Sequence, residues 1–349
     1  MSSSIVRVLA ACTLAPVLAA CGSDDTTAPP IVPNTATISV DASQSFAYIK
    51  LGETAQKVTV ADAASSTAWD LGFLATTVTS NGGSAGPGGV TIHCLCANAN
   101  ATDAQIQGFT AENQLAAFEG VTAAQIPGDG SFAGDSLAPA IAGWFTGSGA
   151  QATANTGRSW ILRRGSPTAT LGKLHVTSIR NASAQNAGQV GFEFALQPAP
   201  GAAFGAVVQD TVDVRNGPVY YDLASGTETT VTGAWDLRFS GFEIRSNGGV
   251  SGSGTVQAVP DNTTPFATID AAYAATAPLV AYRRDAFSGV FTSKPWYKYN
   301  ITGTDNQIWP TFNVYLVKRG SEVYKVQLIS YYATDGTSRQ ITVRYARLS

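Results

Sequence analysis

The chain repeats itself. Ala68-Trp69-Asp70-Leu71-Gly72-Phe73, followed by Ser80-Asn81-Gly82-Gly83, returns as Ala234-Trp235-Asp236-Leu237-Arg238-Phe239, followed by Ser246-Asn247-Gly248-Gly249. Trp69 and Trp235 stand 166 residues apart, as do Asn81 and Asn247, so no gap falls between the two blocks. A later pair agrees: Trp160-Ile161-Leu162-Arg163-Arg164-Gly165-Ser166 matches Tyr315-Leu316-Val317-Lys318-Arg319-Gly320-Ser321 in type and order. Lys173 to Ser178 then matches Lys325 to Ser330. Four blocks in one order predict a tandem duplication of a domain of roughly 150 residues. The expected domains are 35–197 and 204–349, joined at 198–203, where Pro198-Ala199-Pro200-Gly201 makes a natural break.

The beginning of the chain predicts export. Arg7 precedes an apolar run from Val8 to Leu18, too short for a permanent membrane helix, and small residues follow. Leu18-Ala19-Ala20-Cys21-Gly22 resembles a bacterial lipobox, so residues 1–20 read as a lipoprotein signal peptide and Cys21 as the lipidated residue. Residues 21–34 then read as a flexible tether. The expected location is the bacterial outer membrane, lipid-anchored and facing either the periplasm or the surface. Gly22 rather than Asp after the cysteine resembles lipoproteins sent there.

Hydrophobic residues at 44% support a substantial core, and a net charge of −3 excludes an electrostatic nucleic-acid binder. Only Cys94 and Cys96 are left for the mature domains, so no disulfide framework is expected. A bond between residues two apart is expected to be strained, and the sequence predicts free thiols or a transient pair. His93-Cys94-Leu95-Cys96 offers three metal ligands in too short a run for a structural zinc site.

Both repeats have the pattern of strands. In Tyr324 to Tyr332, Val326 and Leu328 alternate with Lys325 and Gln327, and Gln340 to Leu348 alternates likewise. Lys173 to Ile179 and Gln189 to Leu196 correspond in the first repeat. Asn81-Gly82 and Asn247-Gly248 are hairpin-turn signals, with glycine-rich tails read as hairpin ends. Helix is scarce. Thr110 is placed to cap one short helix through Leu115 and Phe118, and Asp270 another through Tyr273. The expected class is all-β, mainly antiparallel, with few short helices.

The Trp-Asp-Leu block with Phe two residues on, the Ser-Asn-Gly-Gly block and the glycine run resemble the HmuY family of surface lipoproteins. The ending agrees: Trp296-Tyr297-Lys298-Tyr299, Val314 to Val317, Tyr324 to Tyr332 and Ile341 to Tyr345 resemble its C-terminal strands. The resemblance covers most of the second repeat and both ends of the first. It implies two tandem all-β domains, a lipid anchor and a haemophore role, with haem iron held by paired histidines or methionines.

Met1 is the only methionine, and His93 and His175 are the only histidines. His175 falls with Lys173 on the polar face of its strand, where its counterpart in the second repeat is Gln327, and reads as a surface histidine. His93 is the better candidate for haem iron or another metal. The second repeat offers no His, Met or Cys, so a tyrosine phenolate would have to serve there. Tyr282, Tyr297 and Tyr299 are the candidates, with Arg283 placed to meet a propionate.

An enzyme is not expected. Two separated histidines give a nucleophilic triad little to build on. Asp70 and Asp236, directly after the tryptophans, read as acceptors of backbone hydrogen bonds, although Glu193, Glu243 and Asp236 could converge in space. The partners expected are a membrane through the lipid, and a small molecule such as haem. The alternative is a haem-free binding module for surface glycans or proteins, built on the same scaffold.

Overall fold

Strands alternating buried and polar residues assemble into antiparallel sheets, as their sequences predict. The computed structural model describes residues 35–166 and 168–349. The signal peptide expected at 1–20, the lipidated Cys21 and the tether at 21–34 lie outside the described residues.

Two five-stranded sheets dominate. In the first, Ala36–Asp41, Ser338–Arg347, Glu322–Tyr332, Val314–Arg319 and Val90–Cys94 lie side by side in that order. In the second, the order is Val208–Asp213, Gln189–Leu196, Thr170–Arg180, Ser159–Arg164 and Gln257–Asp261. Each sheet therefore takes strands from both sequence repeats. The loop at 198–203 is not a boundary between sheets, because it links neighbouring strands of one sheet. Within one compact unit, strand pairing groups 35–135 with 289–349, the terminal module, and sets 136–285 apart as the central module.

The two sheets share one register. Leu316 lies opposite His93 in the terminal sheet, and its counterpart Ile161 lies opposite Val259 in the central one. Val343 opposite Ile38 corresponds to Phe192 opposite Asp210. Because one register buries the same faces whichever repeat supplies the strands, the half-repeats are equivalent partners. They exchange where Ser136–Ala138 pairs antiparallel with Ala286–Ser288, Leu137 facing Phe287.

A small four-stranded sheet closes each core. Gln56–Val58, Ala47–Lys50, Leu71–Leu74 and Thr77–Ser80 form one, and Thr227–Thr229, Val219–Asp222, Leu237–Ser240 and Glu243–Ser246 the other. The terminal core mixes Ile49, Phe73 and Ile92 with Tyr315, Val326 and Val343. The central core mixes Trp160, Leu174 and Phe194 with Val212, Tyr221 and Phe239. The opposite face of each large sheet, polar by alternation, is not wet. Helical segments cover it, so Lys325 is fully buried and donates from Nζ to the carbonyls of Phe118 and Val121 at 2.8 Å. The α-helices are short: Asp103–Gln107, Leu115–Glu119, Ala271–Ala274 and Val290–Ser293. Asp270 caps Ala271–Ala274, accepting from the Tyr273 amide at 2.7 Å.

Two sequence expectations change. Asn81 and Asn247 are not hairpin turns. The turns fall earlier, at Ala75 (φ 49°) and Gly241 (φ 57°). Asn81 is buried instead: its amide donates to the Ser66 and Trp69 carbonyls and accepts from the Gly88 amide, each at 2.9 Å. Asn247 repeats this with Trp235 and Gly254. A Cβ on Gly86 would sit 2.1 Å from the Asn81 side chain, which explains the glycine tails. The second concerns Cys94 and Cys96, expected as free thiols or a transient pair and joined here as a disulfide.

Asp70 and Asp236 accept backbone hydrogen bonds as expected, from the amides of Leu51 at 2.7 Å and Leu223 at 2.9 Å. Each also meets a guanidinium from the other repeat. Arg319 and Lys50 flank Asp70, and Arg164 grips Asp236 with two bonds of 2.8 Å. Burial raises the pKa of Asp236, against the opposing pull of Arg164. Removing Arg319 leaves Asp70 buried beside Lys50 alone. Arg319→Met is therefore expected to destabilise the protein by about 3 kcal/mol in urea denaturation; a loss below about 1 kcal/mol would contradict this.

Asp135, at the crossover, is buried and accepts from the Ser80 amide at 2.8 Å. Burial pushes its pKa up to about 6. The folded state thus holds this proton where the unfolded state has lost it, and the group's contribution declines as pH rises from about 4 through 6. Asp135→Asn should gain on the parent protein by roughly 2–3 kcal/mol between pH 4 and 7. Parallel stability curves would rule this out.

Candidate functional site

The central module has a cavity of about 660 Å³ on the covered face of its sheet, within the range of small-molecule sites. Leu171 and Arg163 come from adjacent strands, Gln197 from the end of a third, and Asp270 to Ala274 from the capped helix. Ala277, Leu279 and Tyr282 complete the wall. First-repeat residues form one side and second-repeat residues the other.

Tyr282 is 8% exposed and packs beside Ile161, Ile269 and Ala274. Burial raises its pKa, while Arg163 pulls it down. Neither the Tyr282 hydroxyl nor the Arg163 guanidinium has a hydrogen-bond partner among the described residues, so both face the cavity uncommitted. Gln197, in contrast, is spent on the Leu171 amide and the Ala202 carbonyl, each at 2.8 Å.

The terminal module shows why only the central module keeps this space. Pairing of Ala133 with Ile92 and of Arg283 with Ala258 puts Phe132 where Tyr282 stands. Lys318 replaces Arg163 and is ion-paired to Asp129. Phe118, Val121, Leu316, Val323 and Leu348 fill the volume, with Ile126 and Phe132 against them. Where the terminal lid carries bulky residues, the central lid carries alanines.

A second cavity, of about 670 Å³, lies at the crossover. Phe46, Tyr48 and Phe287 line it with Asp62, Arg284 and the turn from Gly249 to Gly254. Asp62 is committed to Ser65 and the Ala64 amide.

The five candidate ligand residues do not form one site. Tyr282 lines the central cavity, but Arg283 turns its guanidinium onto the Val280 and Tyr282 carbonyls. His93 lies on the edge strand of the terminal sheet, where Nδ1–H donates to the Ser131 carbonyl at 3.0 Å and the ring packs on Phe132. Tyr297 packs on Trp296, and its hydroxyl meets Thr76 at 3.3 Å. Tyr299 is 57% exposed and donates to Asn306 at 2.7 Å. No cluster of three metal-ligating side chains occurs among the described residues, at His93 or elsewhere.

His175 is not a surface histidine. Its ring nitrogens meet Glu193 at 2.9 Å and the Thr156 carbonyl at 3.0 Å, and it stacks on Phe266. The carboxylates that might have converged are each committed elsewhere: Glu193 to His175, Glu243 to Arg245 and Asp236 to Arg164. Sequence reading passed over Arg163; the signal available was its alignment with Lys318 in the second repeat.

Comparisons with known proteins bear on the second repeat. Residues 215–345 match the family model described as HmuY protein. A Bacteroides fragilis protein described as a lipoprotein aligns at 14% identity over 37% of this chain and 80% of its own, with a TM-score of 0.16. A Bacteroides vulgatus protein described as an HmuY-like heme binding protein gives 13%, 37%, 83% and 0.16. The apo HmuY analog of Tannerella forsythia gives 12%, 40%, 83% and 0.16. None of the curated proteins compared matches the chain. No helix among the described residues is long and apolar enough to cross a membrane.

The central cavity should accept a flat, apolar, anionic probe. An anilinonaphthalene sulfonate dye is expected to bind with enhanced fluorescence, and Ala277→Leu to weaken it at least tenfold with little loss of stability. Unchanged binding in Ala277→Leu would place the dye elsewhere.

Proposed function

We propose, from the match of residues 215–345 to the HmuY family model, that this protein is a lipid-anchored, non-enzymatic ligand-capture protein of the bacterial outer membrane. Its cargo is haem or a related tetrapyrrole, taken into the central cavity. The observation that carries this is the uncommitted pair lining that cavity, Tyr282 with its unpartnered hydroxyl and Arg163 with its free guanidinium.

The residues suit such a cargo. A tetrapyrrole presents a broad apolar face, and the alanine-lined wall receives it without side-chain bulk. Leu279, 72% exposed in the cavity wall, extends apolar contact to the part left outside. Arg163 meets a propionate, a pairing favoured by two parallel charge-assisted bonds. The Tyr282 oxygen is the ligand for ferric iron once its proton leaves. Burial opposes that ionisation, so capture at neutral pH draws on the positive charge of iron and of Arg163. The lipid at Cys21 would hold the protein at the membrane.

A second reading rests on the crossover cavity. Phe46, Tyr48 and Phe287 offer aromatic faces beside Asp62, whose carboxylate is committed within its own loop, and such faces suit a glycan.

Haem titration followed by absorbance tests the first reading. The parent protein should give a saturable Soret shift, and Tyr282→Phe should abolish it. Arg163→Leu should weaken binding roughly 10- to 100-fold. Because capture releases the Tyr282 proton, affinity should rise with pH between 6 and 9. A shift retained in Tyr282→Phe but lost in His93→Ala would move the site to the terminal module. No saturable shift would remove haem as cargo.

A further inference from the structure

The Cys94–Cys96 disulfide does little for the fold that contains it. Cys94 ends the edge strand Val90–Cys94 and lies opposite Tyr315. The Leu95 amide donates to the Val314 carbonyl at 3.0 Å, and the Asn98 amide donates to the Asn313 side chain at 3.1 Å. The Ala99 amide donates to the Cys96 carbonyl at 3.0 Å. Backbone bonds thus hold both sides of the bridge already.

The central module makes the same strand end without sulfur. Pro260 lies opposite Trp160 as Cys94 lies opposite Tyr315, and Asn262 stands where Cys96 stands. The register is the same and no bridge is needed. Loop-closure stabilisation grows with the logarithm of loop length, so a bridge spanning three residues restrains the unfolded chain least of all.

What remains is chemistry. Both cysteines are partly exposed. Cys96 holds φ at 48°, a left-handed conformation that residues other than glycine adopt at a cost. Bridges that are exposed or carry strain are the ones open to exchange.

We propose that Cys94–Cys96 is a reversible thiol–disulfide exchange site whose partner is a dithiol. A thiolate of the partner attacks one sulfur, forming a mixed disulfide and releasing the other cysteine as thiolate. The partner's second thiolate then attacks the mixed disulfide and releases the remaining cysteine. The partner is oxidised by two electrons to its disulfide, and Cys94 and Cys96 take up its two protons as thiols. The reverse sequence restores the bridge. The site is independent of the central cavity and of what that cavity holds.

Dithiothreitol serves as the probe dithiol. The folded protein is exposed to it at neutral pH, alkylated with iodoacetamide, and the peptide holding both cysteines is weighed. Double alkylation of that peptide without any change in melting temperature is expected, as is re-formation of the bridge with oxidised glutathione. A peptide alkylated only after unfolding would overturn the proposal. A second variant guards against a structural explanation. Cys94→Ser with Cys96→Ser should melt within roughly 3 °C of the parent, and a larger fall would assign the bridge to stability and overturn the exchange role.

Discussion

Two buried carboxylates, each clamped by a guanidinium from the other repeat, hold the architecture together. Taking an aspartate out of water costs several kcal/mol unless its oxygens are fully engaged. Asp70 recovers that cost from Leu51, Lys50 and Arg319, and Asp236 from Leu223 and Arg164. In both cases acid and arginine lie in different repeats. Each clamp therefore forms only when half of one repeat is seated against half of the other, and each ties a small sheet to a large one.

Exchange of halves makes the central cavity composite. Arg163 and Leu171 belong to the first repeat, and Ala277 and Tyr282 to the second. Duplication has also allowed the two covered faces to diverge. The terminal one is packed around Phe118 and Leu316. The central one, relieved of bulk, has room for a ligand.

Much of the fold could be read from the sequence, for reasons that residues make plain. Period-two alternation located the strand at Gln189–Leu196, and Asp270 announced its helix because a side-chain oxygen there caps an amide. Alternation could not say that helices would cover Lys325 and Gln327, since a polar face paired to carbonyls looks like a polar face in water. Asn81-Gly82 carried a turn signature but serves as a buried clamp, a role set by the distant Gly88. The exchange itself was invisible: repeats with one register encode their own closure and the exchanged closure equally. Tyr282 was legible as a candidate ligand, whereas Arg163 acquired meaning only beside it in space. His93, Tyr297 and Tyr299 were plausible by residue type, and tertiary structure put them in the other module.

The half exchange is most directly tested by cutting the exposed loop at 198–203, after placing a specific protease site there. Each large sheet contains strands from both sides of that cut. The two fragments are therefore expected to elute as one species at the size of the intact protein, separating only in denaturant. Fragments that separate under native conditions, each folded and melting cooperatively, would show that each repeat closes on itself and would contradict the exchanged architecture.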